Sequence, residues 1–168
     1  MMVYLKFVKS LMLHKWYVFW AGIQTGVPLW RLIVHDWQKL SPYEFAAYAK
    51  NFHSDEDASV PFARAWLHHE NTAPHHWGYW IPRSGKYAGQ PLGMPEAYVR
   101  EMVADWMGAS RAYTGSWDMT DWLDKNLAGF PLHADTSDKL CRVLRQLGYS
   151  VFIDSAGNIK PRPKVNRK

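Results

Sequence analysis

Four prolines mark the starts of helical segments in the first part of the chain. Pro28, Pro42, Pro61 and Pro95 each stand before apolar residues that recur at spacings of three and four, the period of one helix face. Proline suits the first turn of a helix because the N–H that it lacks has no helical partner there. We therefore predict an all-α fold, a compact single-domain helical bundle with little strand.

Local signals give approximate bounds for each element. Ser41, Pro42 and Glu44 have the spacing of a capping box, which starts a helix. Thr136 or Ser137 suits the cap of the last helix, and Gly148 suits its end. The predicted helices cover residues 3–24, 28–40, 42–52 and 61–70, a segment from 95 onward, 116–126 and 137–148. An ordered loop is predicted over 71–93, and the sequence allows a small hairpin over 149–159.

The N-terminal segment is strongly apolar. Its core stripe, spaced by three and four, consists of Val3, Phe7, Leu11, His14 and Val18. Lys6, Lys9 and Lys15 interrupt the segment before any uncharged run reaches the roughly 18 residues of a spanning helix. No small-residue cleavage site of an exported protein follows. We expect a buried helix, no membrane association and a cytoplasmic protein.

The net charge of +5 lies at the C-terminus. All of it can be assigned to five cations without a nearby acid, Lys160, Arg162, Lys164, Arg167 and Lys168. We predict a helical domain over residues 1–159 and a basic tail over 160–168, a frayed and solvated end, with contact to nucleic acid as the alternative. The single cysteine, Cys141, excludes an intramolecular disulfide and is expected in the core.

A buried His-Asp pair is predicted in the second helix. Adjacent helical side chains project about 100° apart, so His35 and Asp36 can offer one cavity a nitrogen and an oxygen ligand. Ile33 and Val34 before the pair favour burial, and a buried carboxylate requires a cation or several donors. Asp105, beside the apolar face of a later helix, has the same requirement, with a surface salt bridge as the alternative.

Four of the eight histidines fall within nine residues, at His68, His69, His75 and His76. Neutral imidazole is the commonest nitrogen ligand of transition metals in proteins. Because adjacent side chains on a helix diverge, we prefer His69 with one or both of His75 and His76 as ligands. His68 is a further candidate, as a ligand or as a group that supports one. The alternative is a surface cluster stacked on nearby tryptophans.

Two cations flank the His-Asp pair. Arg31 lies four residues before His35, and Lys39 lies three residues after Asp36, so a continuous helix would align cation, ligand, ligand and cation. Beside a metal, such cations would bind a phosphate and neutralise the charge that develops in phosphoryl transfer. The alternative is that both are surface groups that pair with Asp36.

These motifs resemble those of the HD-domain superfamily of metal-dependent phosphohydrolases. That family has a histidine on an early helix, a His-Asp doublet on the next and an aspartate on a later helix. His14, His35, Asp36 and Asp105 match this order. Lys39 gives the doublet a form similar to the His-Asp-x-x-Lys of the branch that hydrolyses cyclic dinucleotides. The family's small helical bundle is therefore the expected fold.

Other segments extend the resemblance. His68-His69-Glu70 and Gly78-Tyr79 are similar to later motifs of the same branch, in which extra histidines complete a site for two or three metals. The Leu-His-His and His-His-Trp segments, at residues 67–69 and 75–77, are similar to those of a small group of HD-like proteins from phages and bacteria. That group extends the resemblance over most of the chain.

The resemblance implies hydrolysis of a small phosphorylated substrate, with a nucleotide favoured, through water activated by one or two divalent ions. Mn, Fe, Ni, Co and Zn are equally compatible with such ligands. His75 would be a further ligand or a proton donor to the leaving oxygen, and Arg31 and Lys39 would meet phosphate. The alternatives are a noncatalytic metal- or nucleotide-binding protein and a di-iron oxygenase on an HD-type scaffold. The sequence also leaves a homo-oligomer open.

Overall fold

Helices account for most of the chain in the computed structural model, which describes residues 2–153 and 159–162. Within these residues the α-helices are α1 (Met2–Thr25), α2 (Leu29–Val34), α3 (Phe45–His53), α4 (Ser59–Thr72), α5 (Glu96–Thr114), α6 (Thr120–Asn126) and α7 (Ala134–Gln146). Short 3-10 helices cover Trp37–Leu40, Trp77–Trp80 and Leu127–Gly129. An antiparallel hairpin joins β1 (Ser150–Ile153) and β2 (Ile159–Arg162). The predicted helical fold with a small C-terminal hairpin is confirmed.

Helices α1 and α5 form the central pair of the fold, with the most extensive contact between any two elements. Gly108 permits their close approach, because a Cβ at this position would lie 2.8 Å from the backbone nitrogen of Val18. His14 lies one turn from Val18, and Asp105 one turn from Gly108. The close approach therefore brings these two side chains together between the helices.

Two hydrophobic clusters lie along the buried face of α1. The larger one joins the C-terminal half of α1 to α5, α6 and α7 and contains Cys141, which is 3% exposed and therefore a core residue as predicted. The smaller cluster joins the N-terminal half of α1 to α3 and α4. Its buried members are Phe7, Leu11, Tyr48, Ala49 and Ala65. Together the two clusters fix the elements that carry the predicted ligands.

The predicted second helix is wrong in its length. Helix α2 ends at Val34, His35 is extended (φ −52°, ψ 130°), and a 3-10 turn begins at Trp37. The Trp37 indole nitrogen donates to the Ile33 carbonyl at 2.7 Å, and the Lys15 ammonium donates to the carbonyls of Ile33 and His35. These donors satisfy carbonyls that a longer helix would have bonded internally. His35 and Asp36 therefore lie in a sharp turn, not on a helix.

Two predicted helix caps are also wrong. Helix α3 begins at Phe45, and the Glu44 side chain makes no capping hydrogen bond, since it is fully buried against other residues. Helix α7 begins at Ala134, where the His133 ring accepts a hydrogen bond from the backbone N–H of Asp135. Thr136 instead accepts a hydrogen bond from the backbone N–H of Met94 at 2.9 Å.

Helix α1 is buried on one face only, contrary to the prediction of a buried helix. Val18 and the rest of its core stripe face the protein, whereas Leu5, Trp16, Trp20 and Ile23 are between 46% and 69% exposed. A helix that is apolar on all sides shows the same sequence pattern whether one face or both are covered. No helix among the described residues is long and apolar enough to cross a membrane.

The C-terminal hairpin extends beyond the predicted domain boundary. Strand β2 pairs with β1 as far as Arg162, opposite Ser150, so Lys160 and Arg162 belong to the hairpin and not to a tail. The middle of the predicted hairpin, at residues 154–158, and the remaining predicted tail at 163–168 lie outside the described residues.

Candidate metal centre

Seven of the predicted ligands converge at one place in the fold. They come from α1, from the turn after α2, from the end of α4 with the segment that follows it, and from α5. The seven residues are His14, His35, Asp36, His69, His75, His76 and Asp105. His35, Asp36, His69 and His75 are at most 3% exposed. The predicted burial of the His-Asp pair is therefore confirmed.

The first group of ligands lies between α1, the turn after α2 and α5. His14, His35, Asp36 and Asp105 each offer one ligand atom within 4.8 Å of the others. The His14 Nε2 lies 3.0 Å from Asp105 Oδ1 and 3.4 Å from Asp36 Oδ2. The His35 Nε2 lies 3.4 Å from the same Asp105 oxygen. This group could hold one metal ion.

The second group lies between the same turn and the end of α4. Asp36 joins His69, His75 and His76, again with one ligand atom of each within 4.8 Å of the others. Asp36 Oδ1 is 3.3 Å from the His69 Nε2 and 3.6 Å from the His75 Nε2. Since the other oxygen, Oδ2, faces the first group, the carboxylate of Asp36 lies between the two groups.

The backbone at Asp36 sets this position. Asp36 has a φ of 58° and is the only residue other than glycine with a positive φ in the part of the chain that the structure describes. The left-handed conformation costs most residues roughly 1–2 kcal/mol, and Asp and Asn tolerate it best. Such strain persists where the surroundings impose it, often at functional sites. At Asp36 the left-handed conformation turns the carboxylate inward between the histidines.

Six buried polar atoms point into the centre without a hydrogen-bond partner among residues 2–153 and 159–162. They are the Nε2 atoms of five histidines and one carboxylate oxygen, from His14, His35, His69, His75, His76 and Asp36. Burial of polar atoms without partners is costly and rare in folded proteins. A cation coordinated by these atoms removes the cost, so the donor set fits a divalent metal.

Glu101, for which the sequence predicted no role, lies against two of the ligands. Glu101 is 3% exposed, and its Oε1 lies 3.1 Å from the Nδ1 of His35 and 3.5 Å from the Nδ1 of His75. A carboxylate that accepts from Nδ1–H fixes the ring with its Nε2 lone pair toward a metal. One sequence signal was available, since Glu101 lies four residues before Asp105 and therefore on the same face of α5.

Glu44 lies close to two histidines at the end of α4. Its side chain is fully buried, with Oε2 at 3.0 Å from the Nδ1 of His69 and Oε1 at 2.8 Å from the Nδ1 of His68. His68 belongs to none of the ligand groups found among the described residues. It is about one-third exposed and stacks on Tyr43. His68 reaches the ligand groups through Glu44, and its predicted role in support of a ligand stays a prediction.

The two predicted cations have different partners. The Lys39 ammonium lies 2.5 Å from Asp36 Oδ2, inside the centre. The Arg31 guanidinium binds Glu101, with Nε at 2.8 Å from Oε2, and stacks over the ring of Tyr98. The predicted alignment of both cations with the ligand pair is therefore wrong, because α2 ends before His35. The predicted contact of each cation with phosphate stays a prediction.

The comparisons with known proteins place this centre within a family. A family model described as a family of unknown function, DUF5662, matches residues 4–146. The chain belongs to this family. Every residue of both ligand groups lies within the matched region of this DUF5662 protein. No curated protein and no solved structure matches the chain.

The carboxylates of the centre are ionised. Burial acts to raise the pKa of Asp36, but His35 and Lys39 outweigh it and hold that pKa well below its usual value. Burial likewise acts to raise the pKa of Asp105, but His14 and His35 outweigh it and hold that pKa well below its usual value. The centre of this DUF5662 protein therefore contains two ionised carboxylates that could serve as ligands.

The histidines differ in how readily they take a proton. Burial acts to lower the pKa of His35, but Asp36, Asp105 and Glu101 raise it to about 10. Burial and the neighbouring His35 lower the pKa of His75 to about 3. His75 is therefore neutral near pH 7, the state in which imidazole binds a metal, whereas His35 carries a proton that a metal would have to displace.

Substitution of the two supporting glutamates should affect the two ligand groups differently. Glu44→Gln should weaken metal binding by the second group alone, by about 10- to 100-fold, because Glu44 contacts His69 and no ligand of the first group. Glu101→Gln should weaken both groups, because Glu101 contacts His35 and His75. Metal equivalents per chain, measured by mass spectrometry after dialysis against a metal buffer, distinguish the two patterns. The exposed Glu56→Gln is the control, and identical binding by all three variants would contradict the assignment.

Metal binding should release protons. Because the pKa of His35 is about 10, the ring is protonated at pH 8 and must lose its proton to bind an ion. At least one proton should leave per chain, and the affinity should rise about tenfold for each pH unit between pH 7 and pH 9. Titration calorimetry in two buffers of different ionisation enthalpy measures the release. Heats that are equal in both buffers would contradict this account of His35.

Proposed function

We propose that this DUF5662 protein is a metal-dependent phosphohydrolase of the HD-domain type that acts on a small phosphorylated substrate, most naturally a nucleotide. The observation that carries the proposal is the placement of Asp36 between two groups of ligands. His14, His35, Asp36 and Asp105, which resemble the HD pattern in their order along the chain, form the first group. The second group joins Asp36 to three histidines of the histidine-rich segment over residues 68–76.

A pair of divalent ions is the arrangement that these groups favour. One oxygen of Asp36 faces each group, so its carboxylate could bridge two ions. When bound, such ions supply an activated water and polarise a phosphoryl oxygen. The nitrogen and oxygen donors suit Mn, Fe, Ni, Co or Zn alike.

Both ligand groups have partly exposed members. The side chains of His14, Asp105 and Lys39 are 14–15% exposed and His76 of the second group is also partly exposed, whereas the side chains of His35, Asp36 and His69 are fully buried. Water and substrate would approach past the first group. Lys39 lies on this side and would bind the phosphate oxygens and balance the charge that accumulates on them. The fully buried residues would hold the centre in place.

The remaining two candidates for catalysis have different roles in this proposal. His75 has a pKa of about 3 and carries no spare proton at neutral pH, which favours its role as a ligand over that of a proton donor. Arg31 neutralises Glu101, which in turn holds His35 and His75. Arg31 would thus support the ligand set, and Lys39 would be the principal contact for phosphate.

A di-iron oxygenase is the second candidate, and the same bridging position of Asp36 favours it. Paired iron sites on helical scaffolds also use histidine and carboxylate ligands that project from facing helices. The iron content and colour of protein purified in air separate the two candidates. A metal-loaded protein that binds nucleotides without turning them over would instead be a noncatalytic binding protein.

The proposal is tested by release of phosphate or nucleoside from a panel of nucleoside mono-, di- and triphosphates and cyclic nucleotides. Wild-type protein loaded with Mn²⁺ should hydrolyse at least one class, and a chelator should stop it. Asp36→Asn keeps the left-handed backbone that Asn tolerates but loses the charge, so the rate should fall at least about 100-fold.

The exposed Asp121→Asn in α6 is the matched control and should retain full activity. Hydrolysis that survives in Asp36→Asn would overturn the assignment of the centre. Metal binding by the wild type without hydrolysis of any phosphoester would overturn the function while leaving the metal centre in place.

A further inference from the structure

The outer side of α1 and α2 carries a large exposed apolar surface that the metal centre does not explain. We call it the tryptophan face, and it comprises Leu5, Val8, Met12, Trp16, Trp20 and Ile23 of α1 with Trp30, Ile33 and Trp37 of α2 and the turn after it. Each of these side chains is between 38% and 69% exposed. We propose that two copies of this chain associate through the tryptophan face.

The residues of the tryptophan face are contiguous across the two helices. Leu32 of α2 packs against Gly22 of α1, where an added Cβ would come within 2.2 Å of it. A shallow groove of about 270 Å³ runs between the helices, with Met12 and Trp16 on one side and Ile33 on the other. Trp16 and Trp20 are also in ring contact, with centroids 5.7 Å apart. The face is therefore one surface and not scattered apolar residues.

The exposed area suits one side of a stable dimer. An indole side chain buries up to about 250 Å², so four indoles that are about half exposed offer roughly 500 Å². The five aliphatic and methionine side chains add roughly 250 Å². The sum approaches the roughly 800 Å² that each partner buries in a stable interface and exceeds the apolar patch of a typical monomer.

The polar groups around the tryptophan face favour a protein partner over a lipid surface. Helices that bind anionic membranes carry many free cations beside their apolar face. Here Lys15 donates to the carbonyls of His35 and Ile33, and Arg31 binds Glu101, so both are engaged. The cation that lines the groove, Lys15, is therefore already bound within the protein, as is Arg31 of α2.

A second copy is the partner that this composition fits. Interfaces of homodimers are more apolar than those of transient complexes, and tryptophan and methionine are enriched at interface cores. The tryptophan face contains four tryptophans, and the indole N–H of Trp37 is already bonded to Ile33. Two-fold pairing of one surface with itself is also the commonest form of assembly. An isologous dimer would cover α1 on the side that the fold leaves exposed.

The test is the mass of the full-length protein in solution. Sedimentation equilibrium of the wild type at micromolar concentrations should give twice the 19.5 kDa of one chain. Trp16→Glu in α1 and Ile33→Glu in α2 each place a charge in the interface, so each should raise the dimer dissociation constant at least about tenfold. Neither side chain contacts a ligand of the metal centre, so metal content and circular dichroism should be unchanged.

Tyr87→Glu is the matched control, because Tyr87 is 51% exposed in the loop before α5 and lies outside the tryptophan face. It should leave the dimer intact. A wild type that sediments as one chain up to several hundred micromolar would overturn the proposal, with or without binding to phosphatidylglycerol vesicles. A dimer that both Trp16→Glu and Ile33→Glu leave unchanged would overturn it as well.

Discussion

The carboxylate of Asp36 is the group on which the rest of the centre depends. It is 1% exposed, its two oxygens face two sets of histidines, and its charge is maintained by His35 and Lys39. A charge in this position is unfavourable unless cations surround it. The neutral imidazoles around it, such as that of His75, have the opposite requirement, since a buried nitrogen lone pair needs a cation or a hydrogen-bond donor. A divalent ion on each side of Asp36 would satisfy both requirements, and the proposed function therefore rests on this residue.

The fold holds Asp36 in place through interactions that are distant in sequence. Lys15 and Trp37 bind the last carbonyls of α2 and end that helix, so that the chain can take the left-handed turn at Asp36. Gly108 lets α1 and α5 approach and brings His14 to Asp105. The centre is therefore a product of packing around α1 rather than of any one local motif.

The sequence predicted which residues meet at the centre better than it predicted the local structure of the centre. His35, Asp36 and Asp105 were recognisable because ionisable residues beside apolar stripes require partners in the core. The end of α2 was not predicted because Lys15, a residue of α1, binds the last carbonyls of α2. No local sequence pattern around α2 includes Lys15. Glu44 was misinterpreted for a related reason. Ser41-Pro42-Tyr43-Glu44 has the spacing of a capping box, but tertiary contacts direct the Glu44 side chain to His68 and His69. The exposure of α1 was missed because an apolar pattern does not show which side remains uncovered.

The proposed role of Asp36 as a bridge between two ions can be tested directly by anomalous X-ray diffraction from crystals grown with Mn²⁺. The account predicts two anomalous peaks per chain on opposite sides of the Asp36 carboxylate, about 3.5–4 Å apart as in two-metal sites. One should lie among His14, His35 and Asp105, and the other beside His69 and the histidines that follow α4. A single peak, or peaks that do not contact Asp36, would contradict it.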